Sequence, residues 1–314
     1  MFENSREAPT LANMKLTGIS DEAGTPIETQ IQAHKELGWD TIEARFLSVG
    51  DFEKGSIHEI PDAVFDLAAA ALKDADISVY AVGSTIGNWA HSIEDPFTIT
   101  EGEIGRCIAR MERLGSKFVR IMSYAILQDG DKRDLPEQHA AERFKRVREI
   151  VKRFADAGIT VVHENCMNYG GMGPDYAREM IAEVPGMKWV FDTGNPVFNR
   201  DRNKPEPFPM QDAWEMYQVI KPHIAHVHVK DGVWHDENAF CEYTYPGNGH
   251  GRVRDILKDL SDSGYDGYAS IEPHVSAVFH EADAADVDPA AKAKEQYESY
   301  VRYGRELQDL ISTL

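Results

Sequence analysis

Short runs of β-branched and aromatic residues recur along the chain, and between them lie stretches whose apolar positions fall three or four apart. The first pattern predicts buried strands and the second predicts amphipathic helices. Expected strands are residues 17–22, 41–45, 77–82, 118–123, 159–165, 187–192, 224–231 and 268–272. Helices are expected from about Thr25 to Leu37, Asp62 to Ala75, Glu103 to Leu114, Glu137 to Ala157, Tyr176 to Glu183, Asp212 to Ile220, Val253 to Ser263 and Pro289 to Leu314. Gly38 and Gly115 stop two of them. Thr25, Pro26 and Glu28 read as a capping box with proline at the first helical position. Eight strands alternating with eight helices imply parallel strands closing into an α/β (β/α)8 barrel. Residues 1–314 then form one domain, with an N-terminal extension over about 1–14 and a C-terminal helix over about 289–314.

Four of these strands end in groups that a buried strand has no use for. Residues 159–165 run into Glu164, 187–192 into Asp192, 224–231 into His228 and Lys230, and 268–272 into Glu272. A carboxylate at the end of a buried strand needs a compensating charge. In a (β/α)8 barrel the strand C-termini share one face, so the four tips converge. Three carboxylates and an imidazole suit one divalent cation without saying which of Mn2+, Mg2+, Co2+ or Zn2+ it is, and Mn2+ is the expected occupant.

Composition narrows the partners. Fifty-three acidic against thirty-three basic residues give a net charge of −20, which disfavours a phosphate backbone and so a nucleic-acid partner. No apolar run is long enough to span a bilayer. The first fifteen residues lack the apolar core of a signal peptide, and three widely spaced cysteines form no disulfide framework, so a reducing, cytoplasmic location is expected.

The words His163–Glu164–Asn165 with Tyr169–Gly170–Gly171, Phe191 to Asn195, Val227 to Asp231, Pro246 to Gly251 and Gly264 to His274 resemble the xylose isomerase-like TIM barrels of the sugar phosphate isomerase/epimerase type. The resemblance covers all eight strands and is most specific in the second half. It implies that Glu164, Asp192, His228 and Glu272 bind the metal. It also implies chemistry shared with inosose dehydratases, ketose 3-epimerases and enzymes that cleave 3-keto-glycosides, including C-glycosides. All of these begin by removing a proton next to a carbonyl.

The expected activity is therefore a metal-dependent isomerase or epimerase acting on a ketosugar through an enediolate. A lyase that eliminates from a 3-keto-glycoside or an inosose is the alternative. Glu164 and Glu272 are the expected acid/base pair, with His163 and Lys230 as further catalytic candidates. His163 carries one reservation, since strict alternation turns it away from the barrel interior. Glu43, Arg45, Trp89, Arg120, Asn195 and His274 are expected to bind the sugar, although Glu43 and Arg45 could instead pair with each other. A nuclease like endonuclease IV and a non-catalytic sugar-binding barrel are the rivals from other classes. The partner is a small sugar, with a homo-oligomer or a second small subunit left open.

Overall fold

The computed structural model describes residues 14–237, 239–276 and 288–314. The extension expected over residues 1–14 lies outside them except for Met14, which is buried. Eight parallel strands form one sheet: β1 Lys15–Gly18, β2 Thr41–Ala44, β3 Ser78–Gly83, β4 Phe118–Ile121, β5 Thr160–Glu164, β6 Lys188–Asp192, β7 Ile224–Val229 and β8 Tyr268–Ile271. Their order is β1-β8-β7-β6-β5-β4-β3-β2, and the last gap is bridged where Ile19 pairs with Glu43 just beyond β1. Thr17 Oγ1 donates to the Thr41 carbonyl at 2.8 Å across the same seam. The sheet is thus a nearly closed (β/α)8 barrel.

Eight helices alternate with these strands: α1 Ile27–Leu37, α2 Asp62–Asp74, α3 Phe97–Leu114, α4 Ala140–Asp156, α5 Pro174–Glu183, α6 Ala213–Ile220, α7 Val253–Asp262 and α8 Pro289–Ser312. Gly38 and Gly115 follow α1 and α3 in the left-handed conformation that glycine adopts without strain. The capping box at Thr25 is absent: Pro26 occupies the cap position with no side-chain bond, and the Thr25 carbonyl accepts from Gln30 and Ser48 instead. Helix α3 begins six residues earlier than the hydrophobic period indicates, because Pro96 presets the entry.

The C-terminal helix buries Tyr300, Val301, Tyr303, Leu307, Leu310 and Ile311. Gly304 lets it approach α1 closely, since a Cβ there would lie 2.6 Å from Leu37. His34 of α1 binds the Thr41 carbonyl at 2.6 Å and the Tyr300 hydroxyl at 2.7 Å, tying the two helices to the start of β2.

Two antiparallel hairpins sit at the C-terminal ends of the strands. Phe46–Val49 pairs with Phe52–Ser56 after β2, and Asp231–His235 pairs with Phe240–Thr244 after β7. The second replaces what reads in sequence as a loose loop. Among the described residues no helix is long and apolar enough to cross a membrane.

Candidate metal centre

Glu164 and Asp192 are the last residues of β5 and β6, His228 is the penultimate residue of β7, and Glu272 follows β8 directly. All four are buried. His228 Nδ1 lies 3.7 Å from Glu164 Oε1, 4.0 Å from Asp192 Oδ2 and 3.8 Å from Glu272 Oε2. One ligand atom from each of the four falls within 4.8 Å of every other. Donors bound at about 2.0–2.3 Å to one tetrahedral cation stand roughly 3.3–3.8 Å apart, so the spacing fits a single ion. Neither His228 Nδ1 nor Asp192 Oδ2 has a hydrogen-bond partner. Asp192 Oδ2 faces the Lys230 ammonium at 3.0 Å in an ion pair, so His228 Nδ1 is the atom that nothing meets. Buried polar atoms are rarely left so unless something else meets them.

The charge balance points the same way. Burial would lower the His228 imidazole, but Glu43 and Glu164 outweigh it and push it up to about 10. Burial together with the nearby Glu272 and Glu164 carboxylates raises Asp192 to about 7, although Lys230 opposes this. The centre favours positive charge at the point where the four donors meet.

Each donor is held from behind. His228 Nε2 lies 3.0 Å from Glu43 Oε2 and 3.1 Å from Oε1, which directs the other ring nitrogen at the carboxylates. Glu164 accepts from Arg120 through Oε2 and from Asn195 Nδ2 through Oε1, both at 3.0 Å. Glu272 accepts from Arg45 at 3.1 Å and from Lys230 at 2.8 Å. Asp192 Oδ1 accepts the backbone amides of Gly194 and Asn195 at 2.8 and 2.7 Å. Gly194 is required there, since a Cβ would meet the Lys230 side chain at 2.7 Å.

Several expectations change. Glu43 lies beneath the ring of donors, where it bonds His226 at 2.7 Å as well as His228. It does not pair with Arg45. Arg45 stands past the end of β2 and forks between Asp21, Glu22 and Glu272. Arg120 is engaged by Glu164 and the Ser84 carbonyl. His163 lies behind the barrel wall, its ring 4.5 Å from Trp189 and against Gly170, and burial pushes it down to about 3. Alternation does turn it outward, so it has no access to a ligand at the centre.

The glycine-rich segment after the second hairpin is tied in place. The Asp231 carboxylate accepts the amides of Gly232, Gly247, Gly249 and Gly251 at 2.8–2.9 Å and fills that anion nest itself.

Glu164 and Glu272 open into a cavity of about 320 Å³, lined also by Arg45, Trp89, Arg120, Asn195, Phe198, Lys230, Tyr243 and His274. Asp21 lines it too, and neither Asp21 nor Glu22 was singled out in the sequence. The signal was available, since both acids sit at the tip of strand one. Glu22 receives the His274 backbone amide at 3.0 Å, and the His274 Nδ1 lies 3.0 Å from the same carboxylate. Glu22, Glu272 and His274 could form a second cation group, but the Arg45 guanidinium already lies against both carboxylates.

A family model for the xylose isomerase-like TIM barrel matches residues 31–302. The chain belongs to this family. Among solved structures, a xylose isomerase-like TIM barrel protein from Mycobacterium smegmatis in complex with magnesium superposes with a TM-score of 0.62 at 17% identity, covering 97% of this chain and 99% of that one. The IOLI protein with a bound zinc atom gives 0.66 at 15% identity over 96% and 99%. D-psicose 3-epimerase from Clostridium cellulolyticum H10, with D-tagatose, gives 0.61 at 17% identity over 92% and 99%. At these identities the likeness to the solved structures is one of fold. No curated protein sequence matches the chain.

Proposed function

We propose that this family member is a divalent-metal-dependent isomerase or epimerase of a ketosugar or sugar derivative, working by proton abstraction next to a carbonyl. The observation that carries the reading is His228, whose Nδ1 faces three carboxylates without a hydrogen bond while Glu43 holds Nε2. Glu164, Asp192, His228 and Glu272 would hold the cation. A divalent ion bound there supplies Lewis-acid polarisation of a carbonyl and stabilises the oxyanion that proton loss creates. The magnesium and zinc named in two of the related structures, and the sugar named in a third, support the class.

The chain's own residues supply the rest. Arg120 and His228 outweigh burial and hold Glu164 at about 2, and Lys230 with its neighbouring cations outweighs burial at Glu272. Both carboxylates are therefore ionised at neutral pH, as a base must be, but weakly basic, so the carbon acid has to be strongly activated before either takes its proton. Lys230 is raised well above its ordinary range: burial opposes this, and Asp192 and Glu272 prevail. It is a fixed cation and hydrogen-bond donor, suited to a developing oxyanion and unsuited to act as the base. Asn195 and His274 line the cavity where a sugar hydroxyl would sit.

Return of the proton to the opposite face, or to the neighbouring carbon, gives an epimer or an isomer. Elimination of a β-substituent is the second outcome of the same first step. A ketosugar incubated with the Mn2+-loaded protein in D2O should gain deuterium at the carbon next to its carbonyl, and Glu272→Gln should suppress that gain. Hydride transfer between adjacent carbons with no solvent label would reject the reading.

A further inference from the structure

A second cavity of about 370 Å³ adjoins the one over the candidate centre, and Trp89, Met167 and Phe198 line both. Gln128, Asn199, Arg200 and Arg202 make most of its outer wall polar. Two of these four are spent: Arg202 pairs with Asp134, and Gln128 Nε2 donates to the same carboxylate at 2.9 Å. The other two are not. Asn199 is 4% exposed, and its Nδ2 has no hydrogen-bond partner. Arg200 is half-buried and donates from Nη1 to the Phe208 carbonyl at 2.9 Å, with the Trp234 ring 5.5 Å from the guanidinium. No carboxylate among the described residues pairs with it, although the chain carries fifty-three acids against thirty-three bases. Most N–H donors of this guanidinium, and its whole charge, are therefore left for something else to meet.

We propose that Arg200 and Asn199 bind a carboxylate carried by the same molecule whose carbonyl meets the candidate centre, so that the substrate is a sugar acid. This rests on the sugar chemistry proposed above and deepens it. Both side chains offer donors, and a carboxylate is an acceptor with two oxygens that matches a guanidinium fork and still accepts from a neighbouring amide. The three side chains shared between the cavities make the two contiguous, so one ligand can reach from the centre to Arg200. The cations beside the four donors offer the anion no rival place. Arg45, Arg120 and Lys230 are each paired with carboxylates of the centre. Charge also decides which anion fits. Asp134 neutralises Arg202, which leaves the outer chamber one uncompensated positive charge, that of Arg200. A carboxylate cancels it. A phosphate dianion would bring a second negative charge beside the Asp134 carboxylate with no cation left to meet it, and burying an unpaired charge is costly.

The test compares methyl β-D-glucuronide, methyl β-D-glucoside and methyl β-D-glucoside 6-phosphate, none of which has a free carbonyl, so that all three bind the Mn2+-loaded protein without turnover. Calorimetric titration should give a dissociation constant about tenfold lower for the glucuronide than for the glucoside, the gain of one charge-assisted hydrogen bond. The phosphate should bind no more tightly than the glucuronide. Arg200→Gln should bring the glucuronide-to-glucoside ratio close to one. Asn199→Asp, which keeps the side-chain shape and sets a like charge in the chamber, should bring it to one or reverse it. A ratio near one in the unaltered protein, or tighter binding of the phosphate, overturns the proposal. So does a tenfold ratio that survives both substitutions, since the carboxylate would then lie on the metal or elsewhere. Because these ratios need no catalysis, they stand or fail independently of the deuterium-exchange experiment, whose failure would reject the proton-abstraction chemistry instead.

Discussion

The two halves of the barrel contribute to the candidate centre in different ways. Strands β5 to β8 present the four donors, Glu164, Asp192, His228 and Glu272, whereas the first half presents groups that grip those donors from behind. Glu43 on β2 grips His228, Arg45 just past β2 grips Glu272, and Arg120 on β4 grips Glu164. The second half supplies every donor and part of the support, through Asn195 on Glu164, Lys230 on Glu272 and the Gly194 and Asn195 amides on Asp192, and the first half adds a grip from groups that are not donors themselves. Carboxylates and imidazoles that are oriented in this way bind a metal with less reorganisation than free ones.

Substitutions on each side should separate these roles. The largest effect is expected from the donors: His228→Ala or Glu164→Gln should abolish stoichiometric Mn2+ uptake, measured by elemental analysis, with the fold retained by circular dichroism. The supporting groups should cost less. Glu43→Gln keeps the shape but weakens the hold on His228 Nε2, and metal affinity should drop about 10–100-fold, the range typical of groups that orient ligands. If Glu43→Gln were as damaging as His228→Ala, the division between the two halves would be wrong.

A smaller effect is expected with pH. Two buried imidazoles in the first half are pushed down, His34 to about 4 by burial against a bond to Thr41, and His58 to about 3 by burial and then by Arg106 and Arg120. The unfolded chain takes up these protons near pH 6.5 and the folded chain only near the lowered values. Stability is therefore complete above about pH 6.5 and is lost as pH falls from there toward 4, by about 1.4 kcal/mol per pH unit for each group. His34→Asn should make the acid limb of a denaturation profile shallower by one proton's worth of slope over that window. An unchanged slope would mean that His34 is not held neutral.

The four donors could be read from sequence because each is a local contradiction, a charged or titratable residue closing a strand that is otherwise apolar. The groups that hold them could not. Glu43 and His228 are 185 residues apart, and no periodicity brings them together. Counting by twos puts Glu43 and Arg45 on one face, but the strand ends at Ala44, so Glu43 lies within it beneath the donors while Arg45 stands past its end. His163 is the opposite case: simple alternation placed it outside, and it is outside, against Trp189. Asp21 and Glu22 carry the same strand-tip signal as the four donors, and both are buried in the turn that follows β1. The hairpin that brings Tyr243 to the cavity was hidden by loop-like composition around residues 235–240.

The most direct test is a crystal structure of the protein soaked in Mn2+, with the ion located by its anomalous scattering. The account predicts one peak, bonded at about 2.0–2.3 Å to His228 Nδ1 and to one oxygen each of Glu164, Asp192 and Glu272, with Glu43 still on Nε2. A peak on Nε2, a peak between Glu22 and His274, or no peak within reach of the four donors would contradict it.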